Sequence, residues 1–349
     1  MSQRNSILSA IHAENKEDYR LKRALSLLFA ITLLFSACGG EKQPLKTVRV
    51  NEVTHSVFYA PFYAAISLGF FEEEGLEIEL TNGGGSDKSM TALLTGDADI
   101  GLMGPETAVY VANEGKEDHP VIFAQLTERD GSFLLGKTPD DDFSWSKLEN
   151  TSIIGGRAGG MPQMTLEHVL KEHGLIPGEN VTMRTDVQFD LMGGAFIAGE
   201  DDYVTMFEPS ASAMERAGEG YIVASVGEEG GEIPYTCFMA RGETFEKDPA
   251  YIEAFTRALY KGQTWIVSHS PEEIAGAIAP LFPDNDQALL AVVAERYREI
   301  GAWKKDPVMT EEAYKSLIAI ITEAGVIDRA PAYGEIVDTT IVSGVTGNA

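Results

Sequence analysis

The 349-residue chain predicts an α/β protein of two lobes with a ligand cleft between them. Three observations point there. Strand-like and helix-like segments alternate over residues 47–126, and a second series of the same plan begins at Ser152 after an acidic loop, Pro139-Asp140-Asp141-Asp142. Once the leader described below is removed, 312 residues remain (349 less 37), more than one compact core ordinarily holds.

Taken in order, residues 47–53 alternate and are β-branched, 60–71 have helical spacing, and 76–80 form a short strand, a β-α-β opening. Helix, strand, helix and strand follow over 86–95, 99–103, 105–113 and 120–126. The segment 132–136 leaves the first lobe, and the crossing is expected at the acidic loop. The second series runs 152–154 strand, 161–173 helix, 181–185 strand, 189–198 helix, 203–207 strand, 208–217 helix and 221–225 strand. A strand at 235–240 returns, and helices at 249–269, 271–281, 286–300 and 310–324 are expected to rejoin the first lobe. In the first of these, Tyr251, Phe255, Leu259 and Ile266 mark a core-facing stripe. The expected division is thus 47–138 and 235–349 for lobe I and 139–234 for lobe II.

The amino-terminal segment indicates a compartment. Arg20-Leu21-Lys22-Arg23, an apolar run from Ala24 to Ala37 and then Cys38-Gly39-Gly40 form a secretory signal ending where a bacterial lipoprotein is cut. The run is shorter than the roughly 20 residues a spanning helix needs. Residues 1–37 are therefore expected to be a signal peptide, Cys38 the lipidated residue that makes the membrane contact, and 38–46 a tether. The polar prelude 1–19 is long for such a signal, and a translation start nearer Leu21 is one expectation. The chain without residues 1–37 carries 22 Lys or Arg against 51 Asp or Glu, a net charge of −29. So acidic a surface excludes nucleic acid as a natural partner and argues against lying flat on anionic lipid. Beyond Cys38 only Cys237 remains, so no internal disulfide is expected once Cys38 is acylated.

Two blocks carry a family likeness. Gly69-Phe70-Phe71-Glu72-Glu73-Glu74-Gly75-Leu76-Glu77-Ile78-Glu79-Leu80 and Ala92-Leu93-Leu94-Thr95-Gly96-Asp97-Ala98-Asp99-Ile100-Gly101 resemble the substrate-binding proteins of ABC importers for nitrate, sulfonates, taurine and thiamine-pyrimidine precursors. The resemblance implies a type II periplasmic-binding fold, an extracytoplasmic location, a small-molecule ligand and an importer permease as partner. Both blocks are structural: their glycines end helices and open strands, so they specify a fold and no ligand.

Ligands of open α/β sheets collect beyond the carboxyl ends of the strands, so the strand-to-helix junctions nominate the site. The first offers His55, Phe58 and Tyr59; for His55 a capping or core role is the competing reading. Ser86 opens the helix after the glycine loop 83–85, where it is equally an N-cap. Glu106 and Thr107 follow the third strand and Gln125 ends the fourth. In lobe II, Arg157 and Met161 flank a glycine-rich turn that lacks the Gly-Lys-Ser/Thr ending of a phosphate loop. Asp186, Phe207 and Glu208 follow later strands, and Tyr235 lies near the return crossing. Cleft carboxylates at Glu106 and Glu208 favour a nitrogenous, heteroaromatic solute, unless both merely complement helix dipoles. Arg129 and Arg157 favour an anion.

An enzyme on the same scaffold is the alternative. The cysteine-rich motif of the resembling fungal pyrimidine synthases is absent, His168 and His173 lack zinc-site spacing, and no Gly-x-Ser-x-Gly elbow occurs. No catalytic residue, metal or cofactor is expected.

Overall fold

The computed structural model describes residues 44–115 and 118–347, and Leu45–Ala349 form one compact unit. The expected signal peptide and Cys38 lie outside the described residues. Among those described, no helix is long and apolar enough to cross a membrane.

The strands are β1 (Lys46–Glu52), β2 (Leu76–Asn82), β3 (Ile100–Met103), β4 (Pro120–Thr127), β5 (Ser132–Gly136), β6 (Ser152–Ile154), β7 (Thr182–Arg184), β8 (Tyr203–Phe207), β9 (Tyr221–Ser225) and β10 (Thr236–Arg241). They form two five-stranded sheets, ordered β2-β1-β3-β10-β4 and β7-β6-β8-β5-β9. In the first, β1 pairs in parallel with β2 and β3, while β10 runs antiparallel between β3 and β4. The second repeats the plan, with β5 antiparallel between β8 and β9. The alternation along the sequence anticipated the parallel strands. Residues 132–136 leave the first sheet, as expected, and join the second, so the crossing lies between Thr127 and Ser132, a few residues ahead of the boundary expected at residue 138. That loop is a surface connection held by Lys147, which binds the Asp140 carboxylate at 2.8 and 2.9 Å.

The crossings lie side by side. Ile233 N donates to Glu128 O at 2.9 Å and Tyr235 N to Thr127 O at 3.2 Å, while Glu128 N and Lys304 N bind the carbonyls of Ala302 and Leu126 from a third segment.

The helices that matter below are α1 (Ala60–Ser67), α2 (Phe70–Glu73), α3 (Ser86–Thr95), α4 (Glu106–Asn113), α5 (Met161–Glu172), α6 (Met192–Ala198), α7 (Ser210–Ala217), α8 (Val226–Gly230), α9 (Gly242–Lys247), α10 (Pro249–Ser268), α11 (Pro271–Ile278), α12 (Gln287–Glu299) and α13 (Glu311–Glu323). The α10 stripe is buried as its spacing predicts, Phe255 and Leu259 completely. Phe255 interlocks with Phe62 of α1, Phe71 of α2 and Phe238 of β10 at ring separations of 4.9–6.1 Å. Each such ring contributes roughly 1.5–3 kcal/mol by leaving water. A side chain at Gly262 would lie 2.2 Å from the Pro61 carbonyl, so α10 and α1 meet backbone to backbone.

The carboxy-terminal helices rejoin lobe I, and two also reach lobe II. Arg296 of α12 pairs with Glu208 and Glu215, and Glu323 of α13 receives His168 of α5 at 2.8 Å and lies 3.6 Å from Lys171. Hydrophobic periodicity located the helices but carried no signal for these charged contacts.

Candidate functional site

The carboxyl ends of both sheets face a cavity of about 150 Å³. Lobe I contributes Thr54, Tyr59, the loop and helix start Gly84-Gly85-Ser86-Asp87-Lys88, Gly104 and Glu106; lobe II contributes Arg157, Met161, Pro162, Gln188, Phe189 and Phe207; Tyr235 and Thr236 stand at the return crossing.

Glu106 is the centre of this site. It is the first residue of α4 and 1 % exposed, and its Oε2 has no hydrogen-bond partner. Burial raises its pKa to about 7, although its own backbone amide, the amide of Met161 across the cleft and the charge of Arg157 all oppose the shift. Gly104 makes room for the carboxylate: a Cβ there would lie 2.0 Å from Oε2 and 2.6 Å from Cδ. The sequence Gly104-Pro105-Glu106 thus folds the acid back over the strand end into the cleft.

The walls are aromatic. Tyr59 and Tyr235 are 3–4 % exposed, and burial raises both phenol pKa values, so each stays a neutral donor. Phe207 packs against Tyr235 at 6.1 Å and Phe189 at 5.5 Å. Phe58 lies behind this wall, 1 % exposed, with Phe207, Tyr235 and Tyr297 at 5.2–5.7 Å. At the mouth, Arg157 Nε stands 3.6 Å from Asp87 Oδ1, both about half exposed. Lys88 lines the same cavity without an ion pair among the described residues. Tyr110 of α4 reaches the glycine-rich turn of lobe II, donating to the Gly159 carbonyl at 2.9 Å. The helix after the glycine loop begins at Ser86 itself: Gly85 is its N-cap and Ser86 faces the cavity.

Of the candidates drawn from sequence, Tyr59, Ser86, Glu106, Arg157, Met161, Phe207 and Tyr235 are brought together in this cavity. The remaining six lie elsewhere. Phe58 supports the wall from the core. Thr107 turns inward and donates its hydroxyl to the Gly104 carbonyl at 2.7 Å. Gln125 is buried beside the crossing, its Nε2 on the Thr127 carbonyl and its own carbonyl accepting from Gln263. Asp186 follows the edge strand β7 and pairs with Arg184 at the surface, 3.2 Å away. Arg129, the other arginine weighed for an anion, binds Gly227 O and Glu232 at the crossing.

His55 and Glu208 line a neighbouring cavity of about 240 Å³ and are committed to protein partners. His55 bonds Glu52 Oε1 through Nδ1 and the Leu281 carbonyl through Nε2, each at 2.8 Å, and stacks on Phe282. A carbonyl only accepts, so Nε2 carries the hydrogen. Glu208 accepts from Ser212 N, Ser212 Oγ and Arg296 Nη1 at 2.7–2.9 Å. Its carboxylate therefore holds α7 to α12, and the helix-dipole reading weighed for it is the one the geometry follows.

Sequence reasoning missed Lys88, Pro162, Phe189 and Thr236. Phe189 sits in a 3₁₀ turn, Phe189–Leu191, ahead of α6, where its apolar character read as the start of a helix. Thr236 was absorbed into the return strand. Lys88, two residues beyond the chosen Ser86, is a conventional surface residue by type; only its place in the first turn of α3 could have pointed to it.

Two α/β halves whose strand ends converge on one cleft define a bilobal binding-protein fold. The chain belongs to the NMT1/THI5-like family, whose model matches residues 57–274. It is 39 % identical over 327 residues to the Bacillus subtilis (strain 168) protein named "Putative binding protein YtlA", with 93 % of this chain and 98 % of that protein covered. Among solved structures, the ligand-binding component of an ABC-type import system from Staphylococcus aureus superposes with a TM-score of 0.68 at 14 % identity, covering 86 % of this chain and 99 % of that one. The alkanesulfonate-binding protein SsuA from Xanthomonas axonopodis pv. citri gives 0.67 at 13 % identity, with 85 % and 99 % covered. At these identities the likeness establishes the periplasmic-binding-protein fold alone.

Proposed function

We propose that this protein is the solute-binding component of an ABC importer, which closes its lobes on a small nitrogen-bearing solute and hands it to a permease. The observation that carries the solute class is Glu106, a buried acid on the cleft floor with one oxygen lacking a partner. A hydrogen-bond-donating amino group satisfies that oxygen, and the rings of Tyr59, Phe207 and Tyr235 suit a flat apolar body. A heteroaromatic amine of the thiamine-precursor type fits both requirements. Family membership and the importer proteins among the structural neighbours support the transport role.

A second reading rests on Arg157 and Lys88, which give the mouth two cations and would suit a sulfonate, taurine or nitrate. The enzyme alternative finds less support. Among the described residues, the cluster of Glu52, His55 and Tyr63 resembles a catalytic relay, but Nε2 of its imidazole is tied to Leu281 O.

A thermal-shift screen separates these readings, because stabilisation by a ligand grows with the logarithm of its excess over Kd. Aminopyrimidines, flavin-like rings and polyamines form one set, and taurine, alkanesulfonates and nitrate the other. Stabilisation by the anions alone would replace Glu106 with Arg157 as the principal anchor. The same reading places the protein outside the cytoplasm, anchored by lipid on Cys38. Fatty-acid labelling in the native host, abolished by Cys38→Ser, tests the anchor.

A further inference from the structure

The cavity beside His55 and Glu208 shares Thr54, Gly84, Phe189 and Phe207 with the cavity that holds Glu106, so the same four residues wall both. We propose that the two are one bipartite site, and that the solute is elongated: a nitrogenous head at Glu106 and a hydroxyl- or amine-bearing tail passing Phe207 into the second chamber. This rests on the reading of Glu106 given above and adds the shape and polarity of the solute.

The chemistry of the second chamber selects the tail. Its acidic groups are Asp190, exposed and without an ion pair among the described residues, and Glu208, already bonded to Arg296 and Ser212. No lysine or arginine lines it. The hydroxyls of Thr54 and Ser210 have no side-chain partner among the described residues, whereas both His55 nitrogens are engaged. Glu208 is neutralised by Arg296, so Asp190 carries the chamber's unpaired charge, and with the free hydroxyls it suits a donating tail and disfavours an anionic one. Met192 and Met206 supply the polarisable wall along which a short methylene chain packs.

The test compares 4-aminopyrimidine with its 5-(3-hydroxypropyl) derivative by titration calorimetry on wild-type protein, Ser210→Trp and Asp190→Ala. Ser210 and Asp190 are exposed and line only the second chamber, so neither change disturbs the core or Glu106. The hydroxypropyl compound is expected to bind at least about ten-fold tighter to wild type, since its three methylenes leave water along the methionine wall. Ser210→Trp should erase that advantage, and Asp190→Ala reduce it, while 4-aminopyrimidine binds all three alike. Equal affinity of the two compounds for wild type, or an advantage that survives Ser210→Trp, overturns the bipartite site and leaves the amine-binding function standing. Binding of neither compound refutes the amine-binding function and the bipartite site with it.

Discussion

Replacing Glu106 by glutamine is expected to strengthen the fold and weaken the function. In the folded protein burial raises the Glu106 pKa to about 7, against roughly 4.3 for an exposed glutamate. A pKa raised by folding gives stability that is fully present below the unfolded value and lost as pH rises through the folded one. Above pH 7 the wild-type protein therefore keeps a charge in a site that disfavours it. At 1.36 kcal/mol per pH unit, the difference of roughly 2.7 between these two values sets a ceiling of about 3.7 kcal/mol. Glu106→Gln should thus unfold at a temperature about 3–5 °C higher at pH 8, and at nearly the wild-type temperature near pH 4.5. Loss of a charged hydrogen bond to the solute, worth about 1.5–3 kcal/mol, should lower affinity for an amine-bearing ligand roughly ten- to a hundred-fold. Scanning calorimetry across pH, with titration of the best ligand from the screen, reads both effects. Unchanged or lower stability at pH 8 together with unchanged affinity would refute the assignment of Glu106 as a buried acid held for a ligand.

Other outcomes follow from neighbouring geometry. Gly104→Ala drives a methyl group into the Glu106 carboxylate and should reduce affinity about as much as Glu106→Gln, as measured by the same titration. Glu208→Ala leaves Arg296 with Glu215 as its remaining ion-pair partner. Because that arginine is 27 % exposed, the cost in urea unfolding should be roughly 2–3 kcal/mol, below the usual figure for breaking a fully buried pair, with little change in affinity for a ligand confined to the Glu106 chamber. Asp130, buried at the crossing, has its pKa raised by burial to about 7. The sign is that of Glu106, so Asp130→Asn should also stabilise the protein above pH 7 and leave it unchanged near pH 4. Affinity of the wild-type protein for an amine should climb as pH approaches 7 and then level off as Glu106 completes its ionisation; a flat profile from pH 5 to 8 would count against the ionised acid as the binding form.

The fold was legible because its signals are periodic. Two β-α series and the α10 stripe of Tyr251, Phe255, Leu259 and Ile266 repeat at spacings that only a strand or a helix can use. The departure of residues 132–136 from the first lobe was legible, but the exact crossing point was not, since nothing local between Thr127 and Ser132 marks where one sheet ends and the other begins. At the site, residues placed directly after strands β1, β3 and β8 were found by topology. What sequence could not decide was the engagement of each polar group. Glu106 and Glu208 look equivalent, each at the start of a helix that follows a strand. One faces an unpartnered cavity beside Gly104, and the other meets an arginine 88 positions later in the chain. Such long-range partners leave no local trace.

The strand exchange has a mechanical consequence. β5 and β10 each enter the sheet that receives them one place in from its edge, between two hydrogen-bonded neighbours, and arrive there straight from the paired crossings. A strand so flanked cannot slide without breaking ladders on both sides, so a twist applied at residues 128–131 turns an entire sheet at once. Under the proposed closure each half would swing as a stiff lever, with small torsional changes in a few linking residues amplified into the gape of the jaws.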